Sequence, residues 1–181
     1  MATRMVVVIY AHPYPKRSRA CATLLEAVRA IPGVQARSLY DLYPDFDIDI
    51  DAERSALEKA RAVVLLHPVY WYTMPSLLKH WFDTVLARGW AYGAGAALAG
   101  KECLWVATAG GDDEEAQAAD GREHGFERFP RIVEQIARYC AMRWLEPVKL
   151  EGAAIASEAA LAGAAADLRR RVEAMAATVA S

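Results

Sequence analysis

"RMVVVIYAHPYPKRSRACATLLEAV", residues 4–28, carries the decision about architecture. Its first part is a continuous, β-branched apolar run, as a strand covered on both faces must be. The run ends at His12. Pro13 and Pro15 stiffen the turn and remove backbone donors, and a basic cluster, Lys16, Arg17 and Arg19, follows. Apolar residues then recur at helical spacing through "SRACATLLEAVRAI", which stops before Pro32-Gly33. A buried strand feeding a short crowded turn and then a helix is the opening half of a strand–helix–strand unit.

The same unit repeats down the chain. "VQARSLY" reads as a strand nearer an edge, and "DIDAERSALEKARA" as a helix whose acidic start suits its dipole. "AVVLLHP" is a second buried strand, and "SLLKHWFDTVLARG" an amphipathic helix ending at Gly89. "KECLWVATAGG" is a third buried strand. "ERFPRIVEQIARYC" is a helix whose regular part follows Pro130, "MRWLEPVKLEG" a last strand, and residues 157–179 an alanine-rich closing helix. Five strands alternating with five helices predict an α/β three-layer sandwich with a parallel five-stranded sheet. The expected order is 2-1-3-4-5, the flavodoxin-like arrangement; no GxGxxG follows the first strand, which disfavours the dinucleotide-binding alternative. The absence of an acidic pair there sets aside a receiver domain.

The totals are consistent with one domain spanning residues 1–181. A formal charge of −2 gives no electrostatic case for nucleic acid. No apolar run reaches the roughly 18 residues of a membrane-spanning helix, and the first one lacks the marks of a signal peptide. Cys21, Cys103 and Cys140 form no CxxC pair, which suggests a reducing cytoplasm and gives no metal signature.

In such a sheet, ligands lie beyond the carboxyl ends of the strands where the order reverses. After strand one, Ser18 is expected to cap the first helix. The free N–H groups of Arg19, Ala20 and Cys21, at the positive pole of the helix, can then hold a phosphate. His12 can add a hydrogen bond or, protonated, a charge. An ordinary capped helix with solvated basic residues is the competing reading. After strand three, "HPVYWYTMP" sets Tyr70, Trp71 and Tyr72 between two prolines. Their rings can border a planar ligand, or plug the core beneath a loop; His67 is read as structural. After strand four, Thr108, Ala109, Gly110 and Gly111 form a small-residue corner that lets a ligand approach the backbone. Asp112 to Glu115 would repel a phosphate, and the stretch to Gly125 reads as a flap containing His124. A ligand with an anionic tail and a flat ring uses all three edges at once. FMN fits that description, with FAD as the alternative.

No GxSxG, HExxH or Walker A pattern supplies an alternative chemistry. The segments "VIYAHPYPKRSRA", "LYDLYPDFDIDI", "HPVYWYTMPSLLKHWFDTVLARGWAYG", "GKECLWVATAGG" and "RYCAMRWL" together resemble the flavodoxin-like NAD(P)H quinone reductases. Within that family they are similar to the ancillary oxidoreductase subunits of glutathione-regulated potassium-efflux systems. The resemblance runs from about residue 4 to about residue 150. It implies a cytoplasmic homodimer with one FMN per subunit. The expected reaction passes two electrons at once from NADPH or NADH to a quinone, by ping-pong hydride transfer. It also implies a possible partnership with a potassium-efflux transporter on the cytoplasmic face of the inner membrane. Carried over by motif, cofactor contacts come from His12, Ser18, Arg19, Ala20 and Cys21, from Pro68, Val69, Tyr70, Trp71 and Tyr72, and from Ala109, Gly110, Gly111 and Asp112. Tyr72 and His124 are candidates to donate a proton to the quinone oxygen. Trp90 and Tyr92 either line the partner's pocket or simply pack. The sequence departs from the family at Ala109, which lacks a hydroxyl, at Asp112, which replaces a small residue, and in a longer flap. A redox-sensing regulatory subunit without catalysis, and an azoreductase or general drug reductase, are the alternatives.

Overall fold

A computed structural model describes residues 5–110 and 129–177. The first strand, β1 (Met5–Tyr10), is followed by a single 3-10 turn, Pro15–Arg17, and by α1 (Ala20–Arg29). Next come β2 (Val34–Ser38), a one-turn α2 (Leu39–Leu42) and α3 (Ile50–Lys59), which passes directly into β3 (Ala60–Pro68). Then follow α4 (Ser76–Val85), β4 (Glu102–Thr108), α5 (Phe129–Tyr139), β5 (Arg143–Trp144), β6 (Val148–Leu150) and α6 (Glu158–Ala176).

All pairings are parallel and the order is β2-β1-β3-β4-β5, as the alternation of elements requires. The fifth position is broken. β5 pairs with Glu102 and Cys103 at the start of β4, and β6 with Val106 to Thr108 at its end. Pro147 lies between the two pieces and has no N–H for the ladder, so the single strand expected from "MRWLEPVKLEG" is interrupted there. The second strand also stops early, at Ser38, and Leu39–Tyr40 turn into α2.

Side chains along β1 alternate between two cores. Val7 and Ile9 face the layer of α3, α4 and α5, with Leu57, Leu77, Trp81 and Val133. Val6, Val8 and Tyr10 face α1 and α6, with Leu24, Val28, Leu168 and Val172. Both faces are therefore dry, which is why the strand has no polar alternation. Leu24 is fully buried, and truncating such a side chain to alanine costs about 3 kcal/mol. The caps of α3 and α6 are conventional: Asp49 accepts from the Ala52 N–H at 2.9 Å and Ser157 from the Ala160 N–H at 3.1 Å. Among the described residues, no helix is long and apolar enough to cross a membrane, and no cluster of His, Cys, Asp and Glu is placed to hold a metal ion.

Candidate functional site

The carboxyl ends of β1, β3 and β4 lie side by side because Tyr10 pairs with Leu66 and Pro68 with Thr108. An open cleft of about 310 Å³ sits beyond them. Its wall after β1 is His12 and Arg17 to Cys21, after β3 it is Pro68 to Tyr70, and after β4 it is Thr108 and Gly110. Ala153 and Ala154, beyond β6, close the fourth side.

The helix start differs from expectation in a specific way. The helix begins at Ala20 with Arg19 as its flanking residue, so Ser18 stands one position upstream of the cap. Its hydroxyl still acts on the helix end, accepting the Ala22 N–H at 3.2 Å. The Thr23 N–H goes to the Arg19 carbonyl at 3.0 Å. Among the described residues the amides of Arg19, Ala20 and Cys21 donate to nothing. They are the orphan donors that a helix start leaves for water or an anion.

The side chains around these amides are sorted by their partners. Arg19 points away, donating to the Ala156 carbonyl and to Glu158 Oε1, each at 2.7 Å. Its guanidinium belongs to the junction with α6 and only its amide is left for a ligand. Lys16 and Arg17 are exposed; the Arg17 guanidinium lies 5.8 Å from the centre of the Tyr14 ring and Arg17 itself lines the cleft. His12 Nδ1 accepts the Tyr14 N–H at 3.0 Å, so Nε2 carries the proton of the neutral ring. Burial lowers the His12 pKa below its ordinary value, so a histidine cation is not what this end of the cleft offers at neutral pH. Beneath, burial pushes the Tyr10 hydroxyl up to about 12, a hydrogen bond with Ser18 partly offsetting it. Burial also pushes the Cys21 thiol up to about 11, despite its 3.1 Å hydrogen bond with Thr108 Oγ1. Cys21 is thus a protonated thiol in the floor and not a nucleophile.

On the second edge, the Val69 N–H donates to the Thr108 carbonyl at 2.8 Å, which carries the β3–β4 ladder one residue past the strand. The chain then turns sharply. Trp71 and Tyr72 adopt φ of 46° and 64°, and the Thr73 N–H returns to the Tyr70 carbonyl at 3.0 Å. Non-glycine residues in this region cost of order 1–3 kcal/mol each, so the surrounding structure must hold the turn. Tyr70 lines the cleft, whereas Trp71 is 90% exposed and Tyr72 60%, the latter's ring 5.8 Å from that of Phe129. The aromatics are therefore not a core plug.

On the third edge, Ala109 donates its N–H to the Leu150 carbonyl and accepts from the Ala153 N–H, at 2.9 and 2.8 Å. A Cβ built on Gly110 meets no atom of the described residues within 4 Å. The corner is held from behind and open in front. Gly111, Asp112 and His124 lie outside the described residues. Trp90 is occupied within its own chain, its indole donating to Glu58 at 2.8 Å under the Arg54 guanidinium, and Tyr92 packs 4.9 Å from Tyr139.

Sequence reasoning missed Ala153 and Ala154. The rule that ligands meet carboxyl strand ends applies equally to the fifth position, and "EGAAI" following "VKL" was the available signal. It also passed over Thr108 as a floor residue, since its role depends on a partner 87 positions away in sequence.

The comparisons agree with this geometry. A family model described as having a flavodoxin-like fold matches residues 4–172. The ancillary protein KefF of the glutathione-regulated potassium-efflux system of Citrobacter koseri is 43% identical over 169 residues, covering 93% of this chain and 95% of that protein. The general stress protein 14 of Treponema denticola, solved in complex with FMN, superposes with a TM-score of 0.83 at 30% identity, covering 94% of this chain and 99% of that one. An NADPH-quinone reductase from P. pentosaceus superposes with a TM-score of 0.82 at 26% identity, covering 97% and 99%. Sheet order and a match across nearly the whole length have one explanation: this chain belongs to the flavodoxin-like family.

Proposed function

We propose that the chain binds FMN in the cleft between β1, β3 and β4 and acts as an NAD(P)H:quinone oxidoreductase. The observation that carries this reading is the polarity of the cleft. One end presents the unpaired amides of Arg19, Ala20 and Cys21; the other presents Val69, Tyr70 and the open face of Gly110. No carboxylate lines it among the described residues. An anionic group with a flat ring system satisfies both ends, whereas a cation satisfies neither.

Bound FMN would supply two-electron hydride chemistry, and the protein supplies binding, orientation and electrostatics. The three amides and the Ser18 hydroxyl hold the phosphate, with Arg17 adding charge. His12 donates from Nε2 as a neutral group. Val69 and Tyr70 border the ring and Gly110 leaves room for its edge, with Gly111 and Asp112 assigned beside it. Trp71 and Tyr72 stand ready to meet the second substrate, and Tyr72 and His124 are the proposed donors to the quinone oxygen. NADPH or NADH and the quinone take turns at the same face, the expectation of a ping-pong scheme. The active form is a homodimer.

The FMN-bound and quinone-reductase neighbours support the enzymatic reading. The relative named as an ancillary protein of a potassium-efflux system supports a second role, regulation of such a transporter from the cytoplasmic face. A visible spectrum of the purified protein, followed by anaerobic NADPH addition and then a quinone, tests the first reading. A flavin band that bleaches and returns is expected; a protein that stays colourless with excess FMN overturns it. Efflux measured with a reductase-dead, flavin-competent variant separates the second role from the first.

A further inference from the structure

We propose that His67 and Trp105 are positioning residues, which together fix the Pro68–Val69 peptide and so the inner edge of the turn that meets the ligand. The inference deepens the flavin reading and rests on it.

His67 is buried at the end of β3, where its ring lies 5.8 Å from that of Trp105, its diagonal neighbour on β4. His67 Nδ1 lies 2.8 Å from the Pro68 carbonyl oxygen, and the Trp105 indole N–H donates to Nε2 at 2.8 Å. Each neighbour can play only one part. A carbonyl only accepts, so Nδ1 must carry a hydrogen. An indole nitrogen only donates, so Nε2 must be bare. Only the neutral Nδ1–H tautomer satisfies both. A proton at Nε2 would set two N–H groups head to head, in keeping with burial holding this histidine down at about 4.

The consequence falls on a single peptide. The Pro68 carbonyl is held by the imidazole, and the Val69 N–H of that same unit is held by the Thr108 carbonyl at 2.8 Å. It is pinned at both ends, by one side chain and by the neighbouring strand, and both its residues line the cleft. The positive-φ pair Trp71 and Tyr72 begins two residues later. Without the indole donor, the imidazole is free to adopt the other tautomer. Its Nδ1 lone pair would then face the carbonyl lone pairs and push the peptide round. The carbonyl now turned to the imidazole would become available to the cleft. Trp105 therefore acts on the turn through the tautomer of His67.

The test uses FMN itself as probe, titrated into the wild type and into His67→Leu, His67→Asn and Trp105→Phe, with visible circular dichroism recorded at saturation. Loss of the imidazole's hold on the Pro68 carbonyl should weaken FMN binding about tenfold in the Leu and Phe variants and alter the flavin dichroism. His67→Asn should restore both, because its amide N–H takes the place of Nδ1–H. A merely structural histidine would lower thermal stability and leave the bound flavin's dichroism unchanged. Wild-type affinity and dichroism in folded His67→Leu overturn the positioning role and leave the flavin reading standing. A wild type that takes up no FMN removes the flavin reading and this inference with it. Should the variants fail to fold, nitrogen-15 spectra of the wild-type imidazole decide: a protonated Nδ1 and bare Nε2 are expected, and any other state at neutral pH overturns the proposal.

Discussion

The Arg19 guanidinium donates to Glu158 at 2.7 Å and so ties the head of α1 to the head of α6. The basic side chain next to the unpaired amides of Arg19, Ala20 and Cys21 is thereby turned away from them. The pair is 45% and 89% exposed at its two side chains, where ion pairs contribute at most about 1 kcal/mol. Arg19→Ala should leave urea unfolding almost unchanged and FMN affinity close to wild type. Arg17→Ala should weaken FMN binding and flatten its salt dependence. Titrations at two ionic strengths compare them, and a larger loss in Arg19→Ala would hand the anion contact back to Arg19.

Gly110 offers a clean probe of occupancy. Its Cβ would meet no atom of the described residues within 4 Å, and its backbone carries no positive φ. Gly110→Ala should therefore fold with stability within about 0.5 kcal/mol of wild type. Only a ligand filling the cleft would feel the added methyl, at a cost of about 1–3 kcal/mol if packing there is tight. Thermal melts with and without FMN check this. A variant whose FMN-induced stabilisation equals that of wild type would show that the ring lies elsewhere.

His67 also makes a prediction about acid. Its pKa is about 4 in the folded chain, against 6.5 for the free side chain. Between those values the unfolded state binds a proton that the folded state refuses. Stability is thus unaffected above the unfolded value and falls as pH drops from about 6.5 towards 4, by roughly 3 kcal/mol. The difference in urea unfolding free energy between wild type and His67→Asn, followed across that window, should shrink as pH falls. A constant difference would mean that the imidazole is not the titrating group.

Much of this was legible in one dimension, and what escaped has a common cause. β1, β3 and β4 announce themselves because strands dry on both faces need unbroken apolar runs. Turns with two prolines or two glycines mark strand ends without any tertiary knowledge. Ser18 was placed one position off because a 3-10 turn, Pro15–Arg17, delays the helix, and such a turn leaves no periodic trace. The Arg19 side chain counted towards the basic cluster because charge is visible in sequence while its partner Glu158, 139 positions away, is not; its amide keeps the place expected of it. His67 reads as structural in sequence, and its hydrogen bond with Trp105 becomes visible only once the next strand is in place.

Gly95 is constrained by backbone, not by conformation. A Cβ there would lie 2.0 Å from the Gly89 carbonyl oxygen and 2.8 Å from the Trp90 Cα. Neither atom is the movable end of a side chain, so the loop from Gly89 to Ala97 would have to open, straining the Ala97 N–H bond to the Trp90 carbonyl. Gly95→Ala should destabilise by about 1–3 kcal/mol, the cost of overpacking. Equilibrium unfolding measures it; a neutral substitution would mean the two segments do not touch in solution.

Glu53 is a buried charge outside the site. It is completely enclosed on α3, where Oε1 accepts from Arg37 Nε at 2.7 Å and from the Tyr43 hydroxyl at 2.6 Å, and Oε2 from the Trp81 indole at 2.9 Å. Removing its charge strands the Arg37 guanidinium, which is only 13% exposed. Breaking a buried pair from one side costs about 3–5 kcal/mol, whereas replacing both partners by apolar groups is far milder. Glu53→Gln should therefore destabilise more than the double change Glu53→Leu with Arg37→Leu, a reversal of the usual ranking by number of substitutions. FMN affinity should stay at the wild-type value in whichever variants fold, because none of the four residues lines the cleft. Urea unfolding of both variants, paired with one FMN titration each, checks the two halves separately. A double variant less stable than Glu53→Gln would mean that the hydrogen bonds of Tyr43 and Trp81, and not the stranded cation, dominate the energetics of this cluster.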